Sequence, residues 1–227
     1  MAGLKDITLY EHATTCFPNG ELGRRDFRYL ANYISDLYVR CLHNYKPPKT
    51  SRVSIHLSPD NQSQRSFKFG SIAIIDQYFS AEQYSGLSED IKAIYVLDFI
   101  QNVMLHLSQI YEWETAVFEN AYQEVIARNL KFCFEYPFKT SRDRKKRAQL
   151  IIEKTQSITT VFAHIESIDN ISKVKLLEHP NRWWYDPAYA VVKHGTWLDN
   201  NRFGIVNSPN SKVWYSLQDE KVFIEKP

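Results

Sequence analysis

Seven histidines, His12, His43, His56, His106, His164, His179 and His194, are the first side chains to question for metal binding or proton transfer. None stands in an HExxH pattern and no CxxC pair accompanies them, so the spacings that hold zinc are missing. His164 and Glu166 form an H-x-E that strand alternation projects onto one face, but deaminase chemistry also needs a downstream P-C-x-x-C, which the chain lacks. A surface or sheet-packing histidine is the plainer reading, and no metal or cofactor is expected. Glu178, His179, Asp186 and His194 surround Trp183 and Trp184 in sequence, and folded together they would make a cluster suited to general acid-base work. A strand-end loop accounts for the same residues, and a hydrolase-type enzyme centred on His179, Asp186 and His194 is kept as an alternative.

Nucleophile signals are thin. There is no G-x-S-x-G elbow, Cys133 sits in the apolar alternation Phe132, Cys133, Phe134, and Cys41 falls on an apolar helix stripe, where nothing activates a thiol. Neither a Walker A sequence nor a GxGxxG occurs, and seven glycines leave little material for a phosphate-cradling loop. The chain is therefore expected not to be an enzyme.

Charge is more informative. The chain is close to neutral at +2, yet residues 76–124 carry nine acids, Asp76, Glu82, Glu89, Asp90, Asp98, Glu112, Glu114, Glu119 and Glu124, against the single base Lys92. Carboxylates presented by helices steer and hold basic proteins, so this segment is expected to converge into one outward patch for a partner such as a basic nuclease domain. An ordinary solvated helix face is the competing account. The basic run Lys139, Arg142, Arg144, Lys145, Lys146 and Arg147 offers a different alternative, a nucleic-acid-binding module, with Trp183, Trp184, Tyr185 and Trp197 to stack bases. The modest overall charge favours a solvated hairpin loop there, and nucleic acid is not the expected partner.

The elements that must position these side chains follow from periodicity. Ile7 to Glu11 reads as a strand, and Leu30, Tyr33, Ile34, Leu37, Tyr38, Cys41, Leu42 and Tyr45 mark one stripe of a helix over about 22–45, ended by Pro47 and Pro48. Val53, Ile55 and Leu57 alternate as a strand expected to form a hairpin with a second strand over 67–78. Ser80 with Gln83 fits a capping box, and Ser88 with Glu89 and Asp90 begins the main helix. On that helix Val96, Ile100, Val103, Met104 and Leu107 belong to the apolar arc, while Asp90, Asp98, Gln101, Asn102 and Ser108 belong to the polar one. Ile94, Tyr95 and Leu105 fall within the polar arc and need a second contact, from this chain or from a partner. Another helix is expected over 114–128, turning Glu119 outward.

From Lys131 the period becomes two, and strands are expected over 131–136, 147–154, 159–167, 173–178, 188–193, 203–207, 212–216 and 221–224. The expected class is α+β, with N-terminal helices and a short hairpin followed by an antiparallel β-meander. One domain over 1–227 is preferred, any subdivision falling near 140–146 between a mainly helical part, 1–139, and the meander, 140–227. At 44% hydrophobic and 24% charged residues the composition supports a packed core. The opening MAGLKDITLYEH carries no leader pattern, Asp98, Gln101, Asn102 and His106 interrupt the longest apolar run, and Cys16, Cys41 and Cys133 are scattered. A cytoplasmic chain without a membrane span is expected.

The aromatic-rich helical stretch IYVLDFIQNVMLHLSQIYEWETAVFENAYQEVI, followed by strands ending in WLDNNRFGIV and VWYSL, resembles immunity proteins of bacterial polymorphic toxin systems. The resemblance implies a cytosolic bacterial inhibitor that binds its cognate toxin one to one and covers its active site. From the residues themselves, Asp90, Asp98, Glu112, Glu114 and Glu119 are the candidate polar contacts for such a partner, with Ile94, Tyr95 and Leu105 as the apolar centre.

Overall fold

The computed structural model describes residues 3–11, 17–60, 65–168, 170–181, 186–208 and 210–225. They build an α+β protein of two compact units, Met1–Lys131 and Phe132–Pro227. The division lies ahead of the expected 140–146 segment, because Phe132 already pairs with Lys154 in a sheet of the second unit.

In the first unit a strand comes first, not a helix. β1 (Asp6–Glu11) leads through α1 (Gly20–Cys41) to β2 (Arg52–Ser58), which pairs with β1 in parallel, so α1 is the crossover of a βαβ unit. β3 (Arg65–Phe69) and β4 (Ile72–Tyr78) complete the sheet in the order β1-β2-β4-β3. The expected hairpin between residues 53–57 and 67–78 does not form: β2 and β4 run parallel, Val53 beside Ala73 and Ile55 beside Ile75. The hairpin is β3 with β4 instead, where Gly70 at φ 59 supplies the left-handed residue of a two-residue turn. Alternation had read straight through that turn because apolar residues continue on both sides of it.

Ile7, Leu9, Val53, Ile55, Leu57, Ala73 and Ile75 form the buried face of this sheet, and α1 packs against it. α1 stops at Cys41, short of the two prolines, because His43 and Asn44 adopt positive φ. α2 (Ala81–Ser85) is capped as expected, the Ser80 hydroxyl accepting from the Gln83 N–H at 3.1 Å. α3 (Glu89–Tyr111) and α4 (Thr115–Ala127) pack on α1 and on each other. A group of rings locks these layers: Phe27 is fully buried, with centroids 5.4 Å from Phe17, 5.0 Å from Phe79 and 5.2 Å from Tyr84.

The second unit is antiparallel throughout. β5 (Phe132–Glu135), β7 (Lys146–Lys154), β8 (Ile158–Ser167) and β9 (Ile171–Pro180) lie in that order, and the short β6 (Lys139–Thr140) also pairs with β7. β10 (Gly195–Trp197), β11 (Arg202–Ser208), β12 (Ser211–Ser216) and β13 (Lys221–Glu225) make a second meander. Between the two the expected strand over 188–193 is a helical turn, α5 (Ala188–Val191), continued by a 3-10 turn at Val192–His194. The Asp186 carboxylate accepts from the Ala188 N–H at 2.8 Å, and Pro187 presets φ, so the chain starts a helix despite its β-branched residues.

Truncating Phe27 removes the ring that three others share. Phe27→Ala is expected to destabilise the first unit by roughly 3–5 kcal/mol, measured as a lowered urea midpoint in the far-ultraviolet circular dichroism.

Candidate partner-binding surface

α3 and α4 are joined by Glu112, Trp113 and Glu114 alone, which makes them antiparallel neighbours. The turn is made by Glu112 in the left-handed conformation, φ 54 and ψ 44. Trp113, 4% exposed, is drawn inward, its ring 5.4 Å from Tyr111 and 6.0 Å from Phe118. The Glu114 N–H donates to the Tyr45 hydroxyl at 3.0 Å. Further along, the Ser108 and Thr115 hydroxyls meet at 3.1 Å and the Tyr122 hydroxyl donates to Asp98 at 2.7 Å, two pairs that fix the register of the helices. The bond to Asp98 keeps the Tyr122 phenol protonated, above its ordinary pKa.

Asp90, Asp98, Glu112, Glu114 and Glu119 are all exposed. Among the described residues none of the five has an ion-pair partner, whereas Glu89 takes Lys92 and Glu124 takes both His43 and Arg128. Burial opposes ionisation of Glu124, but its bonds to Arg128 and His43 win and hold the carboxyl below its ordinary pKa. The five unpaired acids do not converge into one patch. Asp90 and Glu112 stand at opposite ends of α3, about 33 Å apart at 1.5 Å per residue, with Asp98 and Glu119 between them. The surface is an acidic stripe.

Of the three apolar residues on the polar arc, Tyr95 finds its second contact within the chain, its ring 6.0 Å from Phe79 and 6.2 Å from Tyr84. Ile94 and Leu105 remain half-buried. The helix register places the exposed Ile126 opposite Ile94, toward the Asp90 end of the stripe, while Leu105 lies about 16.5 Å further along α3, beyond the Asp98–Tyr122 pair. Sequence reasoning missed Ile126 and Tyr122 here, although the spacings of three and four from Glu119 through Tyr122 to Ile126 carry the signal.

Gln101 and Ser108, expected on the solvent side, are buried. Gln101 accepts from the Tyr38 hydroxyl at 2.6 Å, and Ser108 donates to the Leu105 carbonyl at 2.7 Å. Desolvation raises the Tyr38 phenol above its ordinary pKa, which keeps it a donor to Gln101.

The alternatives are reorganised by the fold. In the basic run, Lys139 donates to the Gly195 carbonyl, Lys146 to the Asn200 carbonyl at 3.0 Å, and Arg147 pairs with Glu166 at 2.6 Å while lying over the Phe138 ring. Half of the run is thus spent on contacts within the fold, with Arg142, Arg144 and Lys145 left exposed. His164 and Glu166 do share a face, 3.7 Å apart, but His164 is engaged by Gln149. Cys41 is buried, and burial pushes its thiol up to about 12. Burial raises Cys133 likewise, so neither thiol is activated.

The acid-base cluster assembles in part. His179 Nε2 lies 3.4 Å from Asp186, while Glu178 reaches Lys175 at 3.1 Å and His194 is exposed on the 3-10 turn. Trp183, Trp184 and Tyr185 lie outside the described residues, as do His12 and Cys16. The centre of the cluster is Lys154, whose ammonium pairs with Asp186 at 2.9 Å with both side chains 2% exposed. It lies beneath the rings of Phe132 and Tyr189. Thr159 donates to Asp186 at 2.6 Å, and Asn181 binds the Thr155 carbonyl at 2.7 Å. A carboxylate with this many donors is a fixed acceptor rather than a proton shuttle, and the arrangement clamps β7, β8 and α5 together. Burial alone would raise the Asp186 pKa, but Lys154 and Thr159 overcome it and hold the carboxyl below its ordinary value. Lys154 was legible as the lysine that ends the inward series Ala148, Leu150, Ile152.

Comparison of the chain with protein-family models, curated proteins and solved structures finds no match.

Removing one member of the buried pair leaves the other charge stranded, so Lys154→Ala is expected to cost about 3–5 kcal/mol. The double variant Lys154→Met/Asp186→Asn, which removes both charges but keeps an acceptor for Thr159 and for the Ala188 N–H, is expected to recover most of that. Because the folded carboxyl is depressed, its stabilisation is complete above the ordinary aspartate pKa and is lost as pH falls through the lowered value. The double variant should therefore show a flatter acid limb in urea midpoints measured against pH.

Proposed function

We propose that the chain is a non-enzymatic binding protein of the immunity type, which neutralises a cognate toxin by stoichiometric contact through α3 and α4. The observation that carries this reading is the stripe of five exposed carboxylates without ion-pair partners among the described residues, with Ile94, Leu105 and Ile126 interspersed along it. Unpaired surface charge of one sign accelerates encounter with an oppositely charged surface, and apolar side chains set between the charges supply the desolvated contacts that keep the complex together. A basic toxin domain fits both halves of that description. The length of the stripe suits a partner lying along the helix pair rather than inserting a single side chain. Immunity to a toxin in the bacterial cytoplasm is the setting implied by the resemblance of the helical and C-terminal segments.

Among the described residues the side chains of Asp90, Glu112 and Glu119 make no hydrogen bond or ion pair, so reversing them separates binding from folding. The triple variant Asp90→Lys/Glu112→Lys/Glu119→Lys is expected to bind the partner captured from the native host at least about tenfold more weakly, with a flatter dependence on salt. It should also fail to protect cells that express the toxin, while its circular dichroism stays unchanged. Equal affinity and equal salt dependence in titration calorimetry would refute the reading.

A further inference from the structure

β13 ends the order β10-β11-β12-β13, so one edge of it is open among the described residues. The peptide groups that face this edge can be assigned. The Leu217 N–H donates to the Asn201 carbonyl, so the odd-numbered residues of β12 turn their peptide groups toward β11. The even-numbered Lys212, Trp214 and Ser216 then face β13, where they pair with Glu225, Phe223 and Lys221. Val222 and Ile224 are left with their N–H and C=O groups directed outward. The strand's side chains are exposed as well, Ile224 at 57% and Phe223 at 38%.

Open edges are ordinarily guarded by like charges, prolines or bulges that repel a further strand. β13 carries none of these. Its five residues, Lys221, Val222, Phe223, Ile224 and Glu225, begin with a base and end with an acid around three strand-forming apolar residues. Turned through a two-fold axis at Phe223, the strand meets itself with Val222 hydrogen-bonded to Ile224 of the second copy. The same register sets Lys221 against Glu225 at both ends and Phe223 against Phe223 at the centre. Moving the axis to Val222 puts Phe223 against Lys221, and moving it to Ile224 puts Phe223 against Glu225. Only the central register uses every outward peptide group and matches every charge.

Neighbours on β12 extend the match. Trp214 stacks on Phe223 with centroids 5.7 Å apart and planes 13° apart, so a row of four rings would cross the join. Lys212 lies 3.3 Å from Glu225 and would set that carboxylate between two bases. The edge strands of the first unit lack this property: β1 has Asp6 and Glu11 at its two ends, and β3 has Arg65 and Lys68 with no acid.

We propose that β13 is a homodimer interface, in which two copies of the chain pair antiparallel about Phe223 and join their β10–β13 sheets into one. The interface lies apart from α3 and α4 in sequence and stands whether or not those helices bind a toxin. A single short edge belongs to the small end of specific interfaces, so the dimer is reversible and concentration-dependent.

Sedimentation of the full chain is expected to give the mass of two chains at high concentration and of one on dilution. Ile224→Pro removes an outward N–H that β12 does not use, and Lys221→Glu sets two acids against each other without altering the strand. Both are expected to sediment as monomers with unchanged circular dichroism. Phe223→Cys occupies the close, non-hydrogen-bonded position of the new ladder, where Cα atoms are about 4.5 Å apart. Mild oxidation should link it into a covalent dimer, whereas Ile224→Cys should not cross-link beyond the unsubstituted chain. A chain that stays monomeric at every concentration, a folded Lys221→Glu variant that stays dimeric, or cross-linking of Ile224→Cys but not Phe223→Cys would each overturn the proposal.

Discussion

The enclosure of α3 by α1 and α4 forces a choice on every polar side chain it carries: each must find a hydrogen-bond partner inside or face water. Gln101 and Ser108 meet the first condition, through Tyr38 on α1 and Thr115 on α4. Asp90 and Asp98 meet the second. The same sorting explains why Tyr95 turns toward Phe79 and Tyr84 while Ile94 and Leu105 stay at the boundary. The acidic stripe is what remains outside once the interior requirements of three packed helices are satisfied.

The second unit solves an equivalent problem differently. A lysine at the end of β7 is carried inward by strand alternation, and an ammonium withdrawn from water is tolerated only with an opposite charge and further donors around it. Asp186 supplies the charge and at the same time starts α5, because one carboxylate oxygen accepts from Lys154 and the other from the Ala188 N–H. One side chain thus fixes both a core contact and the point where strand gives way to helix. Thr159 and Asn181 extend the arrangement to β8 and to the end of β9.

Local periodicity was enough to locate α1, α3, α4 and most strands, because each buries one face and leaves another in water. What it could not show was direction and partner. Strands β2 and β4 look like hairpin arms along the chain, yet they run parallel, because β3 reverses the chain first and β4 turns back from it to lie beside β2. The turn over 188–194 has strand-forming residues, and its helical conformation comes from Asp186 and Pro187, whose effect precedes the residues it organises. For the candidate surface, the identity and exposure of the carboxylates were legible. Their spacing along α3 was also implicit, since residues 90 and 112 on one helix cannot be close together. The burial of Gln101 and Ser108 was not legible, because it depends on where α4 lies.

Glu112 joins two requirements that one side chain cannot serve equally. Its left-handed backbone is a conformation that glycine reaches freely and that costs other residues about 1 kcal/mol or more. Its carboxylate stands at the end of the stripe without an ion-pair partner among the described residues. A selection for thermal tolerance and a selection for capture of a cationic surface would accordingly pull this position in opposite directions, the first toward glycine and the second toward the acid it now holds.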